Sequence, residues 1–410
     1  MSATVLRDDA YRQVQEIGHA DLLVGIPSFN NAATIGHVVR TAAEGMVRYF
    51  PDLKPVLVNA DGGSSDGTVD VVRQTEVPPK VEKIVTQYVG PSGKGSAFRT
   101  IFEIARALGV QACAAVDSDL RSITPEWIDR LAGPIVREGY GYITPLYIRH
   151  KHDATITNNI TYPMTRMLYG LDVRQPIGGD FGFSGELAAW WLQQDVWDTD
   201  VARYGIDIWM TTTAIVQGFQ VGQAGLGLKI HDAKDPAQAL GPMFSQVVGT
   251  LFALMGRYAD RWQRVTKVRP APLIGEPPQG EPEEVPVTVS LMVDKLRAGL
   301  DEHADALAQV LSPHLLAALG DIARNDAASF AFPAETWARV VFEFAVAHHR
   351  TIIPRGQLMA AMVPLYYGRT AGLVREAEGM DSVTFEREVV QKQAATFLQL
   401  KPELLAKWSS

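Results

Sequence analysis

The stretch Ala112-Cys113-Ala114-Ala115-Val116-Asp117-Ser118-Asp119 decides how this chain is read. A short apolar run, consistent with a buried strand, ends in two carboxylates one residue apart. Residues i and i+2 of an extended segment project to the same side. Asp117 and Asp119 therefore repel each other unless a cation lies between them. Hard oxygen ligands of this kind suit Mg²⁺ or Mn²⁺, ions commonly shared with substrate phosphates. The plain alternative is a helix N-cap beside a solvated charge.

The same arrangement recurs upstream. Leu22-Leu23-Val24-Gly25-Ile26 reads as a buried strand closed by Pro27 and a polar loop to Asn31, and 34–49 has helical spacing. Val56-Leu57-Val58-Asn59-Ala60 is a second strand, followed by Asp61-Gly62-Gly63-Ser64-Ser65-Asp66-Gly67-Thr68. That segment is a turn and then a helix start, with Ser65 or Asp66 as cap. A third strand is expected near 82–88 and a helix over about 95–108. Strands alternating with helices predict right-handed crossovers and a mainly parallel sheet. In such open sheets ligands bind beyond the carboxyl ends of the strands. Ser28 to Asn31, Asp61 to Asp66 and Asp117 to Asp119 all fall at those ends, which is the strongest purely physical argument for a site.

Downstream, 142–148 and 219–230 are strand-like and 238–266 helical. Residues 269–286 carry Pro270, Pro272, Pro277, Pro278, Pro282 and Pro286 with several Glu, which reads as an extended surface connection. Helical periodicity returns at 288–310, 313–323, 333–350, 355–378 and 384–405. There Trp337, Val340, Val341, Phe344 and Ala345 form one apolar stripe, read as core. The expected division is a catalytic domain over 1–235 and a helical C-terminal domain over 236–410.

The 410 residues are 47% hydrophobic and 20% charged, an ordinary globular composition. The net charge of −8 argues against a nucleic-acid or anionic-membrane partner. No signal peptide or membrane-spanning stretch is read, so a cytoplasmic protein is expected. The single cysteine, Cys113, cannot form an internal disulfide and is read as packing.

Further constellations have two readings each. Ser92-Gly93-Lys94-Gly95-Ser96 is an ordinary glycine turn, or a place where backbone and Lys94 meet an anion at a helix N-terminus. Gln175-Pro176-Ile177-Gly178-Gly179-Asp180 is a turn, or close backbone contact with a small molecule. Asp207, in an apolar stretch, costs free energy unless it is paired, used or a helix cap. His231 could complete a metal site with the Asp pair. Arg149, His150, Lys151 and His152, followed by Asp153 and Thr157, are a solvated basic loop, or a place where Arg149 holds a carboxylate through two parallel hydrogen bonds.

Taken in order, Ile26-Pro27-Ser28-Phe29-Asn30, Asn59 to Thr68, Gly93-Lys94-Gly95 and Asp117-Ser118-Asp119 resemble a nucleotide-sugar glycosyltransferase of GT-A fold. Gln175 to Asp180, Gly205-Ile206-Asp207, His231 and the segment Arg149 to Thr157 are similar to the retaining glycosylglycerate synthases, the mannosylglycerate and glucosyl-3-phosphoglycerate synthase type. The fold class implied is α/β, a Rossmann-like GT-A domain with a mainly parallel sheet, followed by a mostly α-helical domain.

The resemblance also implies roles. Pro27, Ser28, Asn30, Asp61, Lys94, Asp117 and Ser118 would bind the donor, a UDP-, GDP- or ADP-hexose. Asp119 and His231 would hold Mg²⁺ or Mn²⁺ with the diphosphate. Ile177, Gly178, Gly179 and Asp207 would line the reaction centre, and Arg149, Asp153 and Thr157 would hold the acceptor. The expected reaction is retaining, metal-dependent hexose transfer to D-glycerate, by a homodimer that uses neither nucleic acid nor membrane. The alternatives are transfer to 3-phosphoglycerate, a family-2-like transferase with another acceptor (a polysaccharide or lipid among them), a non-enzymatic nucleotide-sugar or metal binder, and a helical half that serves mainly oligomer contacts. Two departures bear on this. The segment His150 to Thr157 replaces the Gly-rich stretch of the phosphoglycerate-using enzymes, although its basic residues could still meet a phosphate. Asp232 stands where the mannosylglycerate enzyme has a basic residue.

Overall fold

A computed structural model of the chain describes residues 4–231 and 240–409. Asp232, singled out above, lies outside the described residues. The first elements are α1 (Asp8–Ile17), β1 (Leu22–Ser28), α2 (Ile35–Tyr49), β2 (Pro55–Asp61), α3 (Thr68–Gln74), β3 (Glu82–Gln87), α4 (Lys94–Ala107), β4 (Ala112–Ala115), α5 (Pro125–Glu138) and β5 (Tyr142–Ile148). They are followed by α6 (Tyr162–Tyr169), β6 (Leu171–Asp172), β7 (Phe181–Ser184), α7 (Gly185–Leu192), α8 (Ile206–Val216), β8 (Val221–Leu228), and, further on, β9 (Arg269–Pro270) and β10 (Leu273–Ile274).

The chain forms two compact units, Met1–Ile148 with Gln175–Asp232 and Ala271–Gly280, and Arg149–Arg174 with Ala233–Pro270 and Glu281–Ser410. The segment 149–174, placed in the catalytic domain from sequence, thus belongs to the second unit, and 271–280 returns to the first.

The first unit is built on an eight-stranded sheet in the order β10-β8-β5-β7-β4-β1-β2-β3. All neighbours run parallel except β7, which is antiparallel to both β4 and β5. Side chains alternate across β1. Leu22, Val24 and Ile26 join the core formed with Val38, Val39 and Ala42 of α2 and Ile128 and Leu131 of α5. Gly25 faces the other way, where a Cβ would meet Ile101 of α4 at 2.7 Å. Helices therefore cover both faces, which is why the strands read as continuous apolar runs. Each large apolar side chain buried this way stabilises the unit by about 1.5–3 kcal/mol relative to exposure. Cys113 is buried within β4, and burial pushes its thiol pKa up, as packing requires. The Pro/Glu connection is extended, as expected. It also contributes β10 as an edge strand, with Leu273 and Ile274 paired to Gln223 and Ala224.

The second unit is helical, with long helices at Gly241–Arg257, Val289–Glu302, Ala334–Arg350, Arg355–Glu376 and Gln391–Ser409. The stripe Trp337, Val340, Val341, Phe344 and Ala345 is buried. Residues 149–174 are anchored here by distant partners. Trp337 Nε1 donates to the Asn159 carbonyl at 2.7 Å and Gln393 Nε2 to the Asn158 carbonyl at 2.6 Å. Among the described residues no helix is long and apolar enough to cross a membrane.

Candidate functional site

The carboxyl ends of β1, β2, β4 and β8 carry the polar groups of the first unit. At β1 and β2, Asp61 is buried and orders its own loop. Its Oδ1 accepts from the Gly63 and Ser64 amides at 2.8 and 2.7 Å, and its Oδ2 from the Ser28 and Ser64 hydroxyls, both at 2.7 Å. Asn30, at φ +56°, bridges to the same loop, accepting from the Ser65 amide at 3.0 Å and donating its own amide to Ser64 Oγ at 2.8 Å. Pro27 precedes this turn and is half-buried. Asp66 receives the Thr68 amide at 3.0 Å, but the N-cap of α3 is Gly67, at φ +90°, and not the Ser65 or Asp66 expected from the sequence. Ser118 Oγ donates to Asn31 Oδ1 at 2.7 Å, which ties the loop after β1 to the end of β4.

Asp117 is gripped from two sides. Lys94, the first residue of α4, donates to its Oδ1 at 2.8 Å, and Lys229, just past β8, donates to its Oδ2 at 2.8 Å. Burial alone would push the Asp117 carboxyl up, but the Lys229 and Lys94 ammoniums outweigh it and hold it well below the usual carboxylate range. The cations that balance this carboxylate are thus lysines, whereas the sequence alone suggested a metal between Asp117 and Asp119. Lys94 also reaches the Gly179 carbonyl at 3.2 Å and Asp207 Oδ2 at 3.6 Å. Burial disfavours its charge, yet the Asp117 and Asp207 carboxylates raise its pKa.

Lys229, unrecognised in the sequence, is buried and reaches further partners. Among them are the Gly178 carbonyl at 2.9 Å, Asp180 Oδ2 at 2.9 Å and the Tyr147 hydroxyl at 3.1 Å. Asp180 Oδ1 accepts from the Asp117 amide at 2.9 Å, and burial raises the Asp180 pKa against the pull of Lys229.

The Ile177-Gly178-Gly179 loop is held between these groups. Gly179 lies at φ +96°, and a Cβ there would sit 2.2 Å from Asp117 Oδ2. A Cβ on Gly178 would meet Pro145 Cγ at 2.2 Å. Both glycines are therefore required by close approach, beyond an ordinary turn. Ile177 is half-buried, and the loop is pinned behind it where Thr211 donates to the Pro176 carbonyl at 2.7 Å.

Asp207 lies in the first turn of α8 without capping it. Its Oδ1 is buried and has no hydrogen-bond partner among the described residues. Burial, opposed by Lys94, pushes its pKa up to about 6. An orphaned, buried acceptor of this kind suits a ligand hydroxyl.

Asp119 and His231 face each other, with Oδ2 and Nδ1 3.8 Å apart and both side chains partly exposed. No cluster of three or more His, Cys, Asp or Glu side chains that could hold a metal occurs among the described residues. The pair nonetheless fits a divalent ion of the Mg²⁺ or Mn²⁺ type, because such ions take one or two protein ligands and complete their shell with substrate phosphates and water.

In the second unit, Arg149 forms a two-point ion pair with Asp153, Nε to Oδ2 at 2.7 Å and Nη2 to Oδ1 at 3.0 Å. Thr157 is buried at the start of a wide helical turn, Thr157–Thr161. The three basic residues between are spent on the unit's own backbone. Lys151 donates to the Ala377 and Met380 carbonyls at 3.0 and 2.9 Å. His152 Nδ1 contacts the Val285 carbonyl at 3.0 Å, and His150 Nδ1 accepts from the Val285 amide at 3.2 Å. Burial lowers the pKa of both histidines.

Residues 23–186 match the family described as Glycosyl transferase family 2. Among solved structures, the chain is similar to glucosyl-3-phosphoglycerate synthase from Mycobacterium tuberculosis in complex with Mg²⁺ and UDP, with 22% identity, 58% of this chain and 82% of that chain covered, and a TM-score of 0.45. The same enzyme with Mn²⁺, UDP and glucosyl-3-phosphoglycerate gives 22% identity, 61% and 86% coverage and a TM-score of 0.46. With Mn²⁺, UDP-glucose and glycerol 3-phosphate the values are 21%, 68%, 96% and 0.44. No curated protein matches the chain with significance. The matched stretch, 23–186, spans the strands that build most of the mainly parallel sheet, and the fold is α/β and GT-A-like.

Proposed function

We propose that the chain transfers a hexose, with retention, from a nucleoside-diphosphate sugar to D-glycerate, forming an α-glycosylglycerate. Pro27, Ser28, Asn30 and the loop ordered by Asp61 receive the nucleoside. Lys94, Asp117 and Ser118 face the sugar and phosphates. Asp119 and His231 would hold a divalent ion, which would supply neutralisation of the leaving diphosphate. Arg149, with Asp153 and Thr157, orients the acceptor carboxylate and so contributes proximity and alignment. Asp207 accepts from a sugar or acceptor hydroxyl through its unpartnered oxygen. No carboxylate is assigned as a covalent nucleophile. The acceptor oxygen attacks the anomeric carbon from the face the diphosphate leaves, and its proton passes to the departing phosphate oxygen.

The observation that carries the choice of glycerate over 3-phosphoglycerate is the commitment of His150, Lys151 and His152 to backbone partners. Neutral imidazoles and an ammonium already donating to two carbonyls offer little to a phosphate dianion. A product assay by NMR tests the reading, using Mg²⁺ or Mn²⁺, a panel of UDP-, GDP- and ADP-hexoses, and either acceptor. An α-linked product with D-glycerate is expected. Product with 3-phosphoglycerate alone would move the acceptor assignment, and donor hydrolysis without transfer to either would point to another acceptor.

A further inference from the structure

β4 and β8 are separated in the sheet by β5 and β7, yet the segments that leave them run side by side. Asp117 pairs with Lys229 at 2.8 Å, and two residues further on Asp119 faces His231 at 3.8 Å. Between and beyond these pairs, the Arg121 amide donates to the Ile230 carbonyl at 2.9 Å and the Ile230 amide to Ser122 Oγ at 2.9 Å. Ser118 and Asp119 lie in a turn rather than in extended backbone, so the second pair is held beside the first by these hydrogen bonds and by the Asp117–Lys229 ion pair. Lys229 also draws in the Gly178 carbonyl and Asp180, while Lys94 takes the Gly179 carbonyl.

We propose that Lys229 is a positioning residue for the donor centre. Its buried ammonium locks the end of β8 to Asp117 and to the Gly178–Gly179 loop, so that Asp119 and His231 converge on one point. The proposal rests on the assignment of Asp119 and His231 as the metal pair.

The geometry separates this role from that of a mere counter-ion. Asp180 is fully buried, and removing Lys229 alone strands its charge. Lys229→Met could therefore fail to fold for that reason. The double variant Lys229→Met/Asp180→Leu removes both charges, while Asp117 keeps Lys94.

The experiment compares wild type, Lys229→Met and the double variant by calorimetric titration with Mn²⁺ in the presence of UDP, together with crystal structures of the ligand-free proteins. The double variant is expected to fold, to bind Mn²⁺ in the presence of UDP at least about tenfold more weakly, and to show Asp119 and His231 further apart than in wild type. Wild-type Mn²⁺ affinity, or an unchanged Asp119–His231 separation in the double variant, overturns the proposal and leaves Lys229 a counter-ion for Asp180. If wild type itself takes up no Mn²⁺ with UDP, the metal assignment fails, and the ligand-free separation still decides whether Lys229 aligns the two segments.

Discussion

Asp119 and His231 approach to 3.8 Å although they follow strands that are not neighbours in the sheet. On the proposed reading, one carboxylate and one imidazole would hold a metal incompletely until a diphosphate adds its oxygens, which would couple metal uptake to donor binding.

Asp119→Ala and His231→Ala are each expected to lower transfer about 100-fold or more, since neutralisation of a leaving diphosphate is worth several kcal/mol. Chelation of the metal should do the same to wild type, and added Mn²⁺ should restore it. Transfer rates before and after metal replacement check this, and undiminished activity in Asp119→Ala excludes the assigned role.

Arg149→Ala should raise the acceptor KM about 10- to 100-fold, the loss of charge-assisted hydrogen bonds worth about 1.5–3 kcal/mol. The donor KM should stay near wild type. Steady-state kinetics with each substrate varied in turn separate the two constants, and unchanged acceptor kinetics would remove Arg149 from the site.

Gly179→Ala places a methyl 2.2 Å from Asp117 Oδ2 at a φ of +96°. Backbone strain of this kind costs about 1–3 kcal/mol. The displaced carboxylate should cost more in kcat than the strain costs in unfolding free energy. Parallel denaturant titration and kinetics read both, and a variant with normal kcat contradicts the packing of this loop.

Asp207 is the stronger acceptor as the carboxylate, so kcat/KM should rise with pH through about 6 and flatten in Asp207→Asn. Stability moves the other way. Between the unfolded value of 3.8 and the folded value of about 6, the folded chain binds more protons than the unfolded one. This group's contribution to stability therefore falls as pH rises across that window and is least favourable above it. Unfolding of wild type and Asp207→Asn at about pH 4 and about pH 7 isolates the effect as a difference that grows in favour of the variant.

Much of the architecture was legible because β1, β2, β4 and β5 are covered on both faces and their apolar runs end in polar loops. Asp61, Asp117 and Asp119 are conspicuous for the same reason. Lys229 was not, because a single lysine after Leu226-Gly227-Leu228 reads as a solvated strand end. Its one signal is relational, since it precedes His231 by the interval at which Asp117 precedes Asp119. The placement of 149–174 in the second unit was hidden for a different reason. Its anchors, Val285, Trp337, Ala377 and Gln393, lie more than a hundred residues downstream, and local periodicity carries no trace of them. The basic cluster looked available for an anion because sequence shows charge and not the carbonyls that consume it.

The pairing of β10 with β8 has a consequence for how the protein is made. The ribosome delivers β8 well before Leu273 and Ile274, and until they emerge β8 presents an open edge, the kind of surface that recruits other strands. The helical unit waits longer still, since residues 149–174 meet the Trp337 and Gln393 that anchor them only after those distant helices emerge. Synthesis from N- to C-terminus therefore cannot finish one unit before starting the other, and the nascent chain depends on protection from aggregation until nearly its last helix is out.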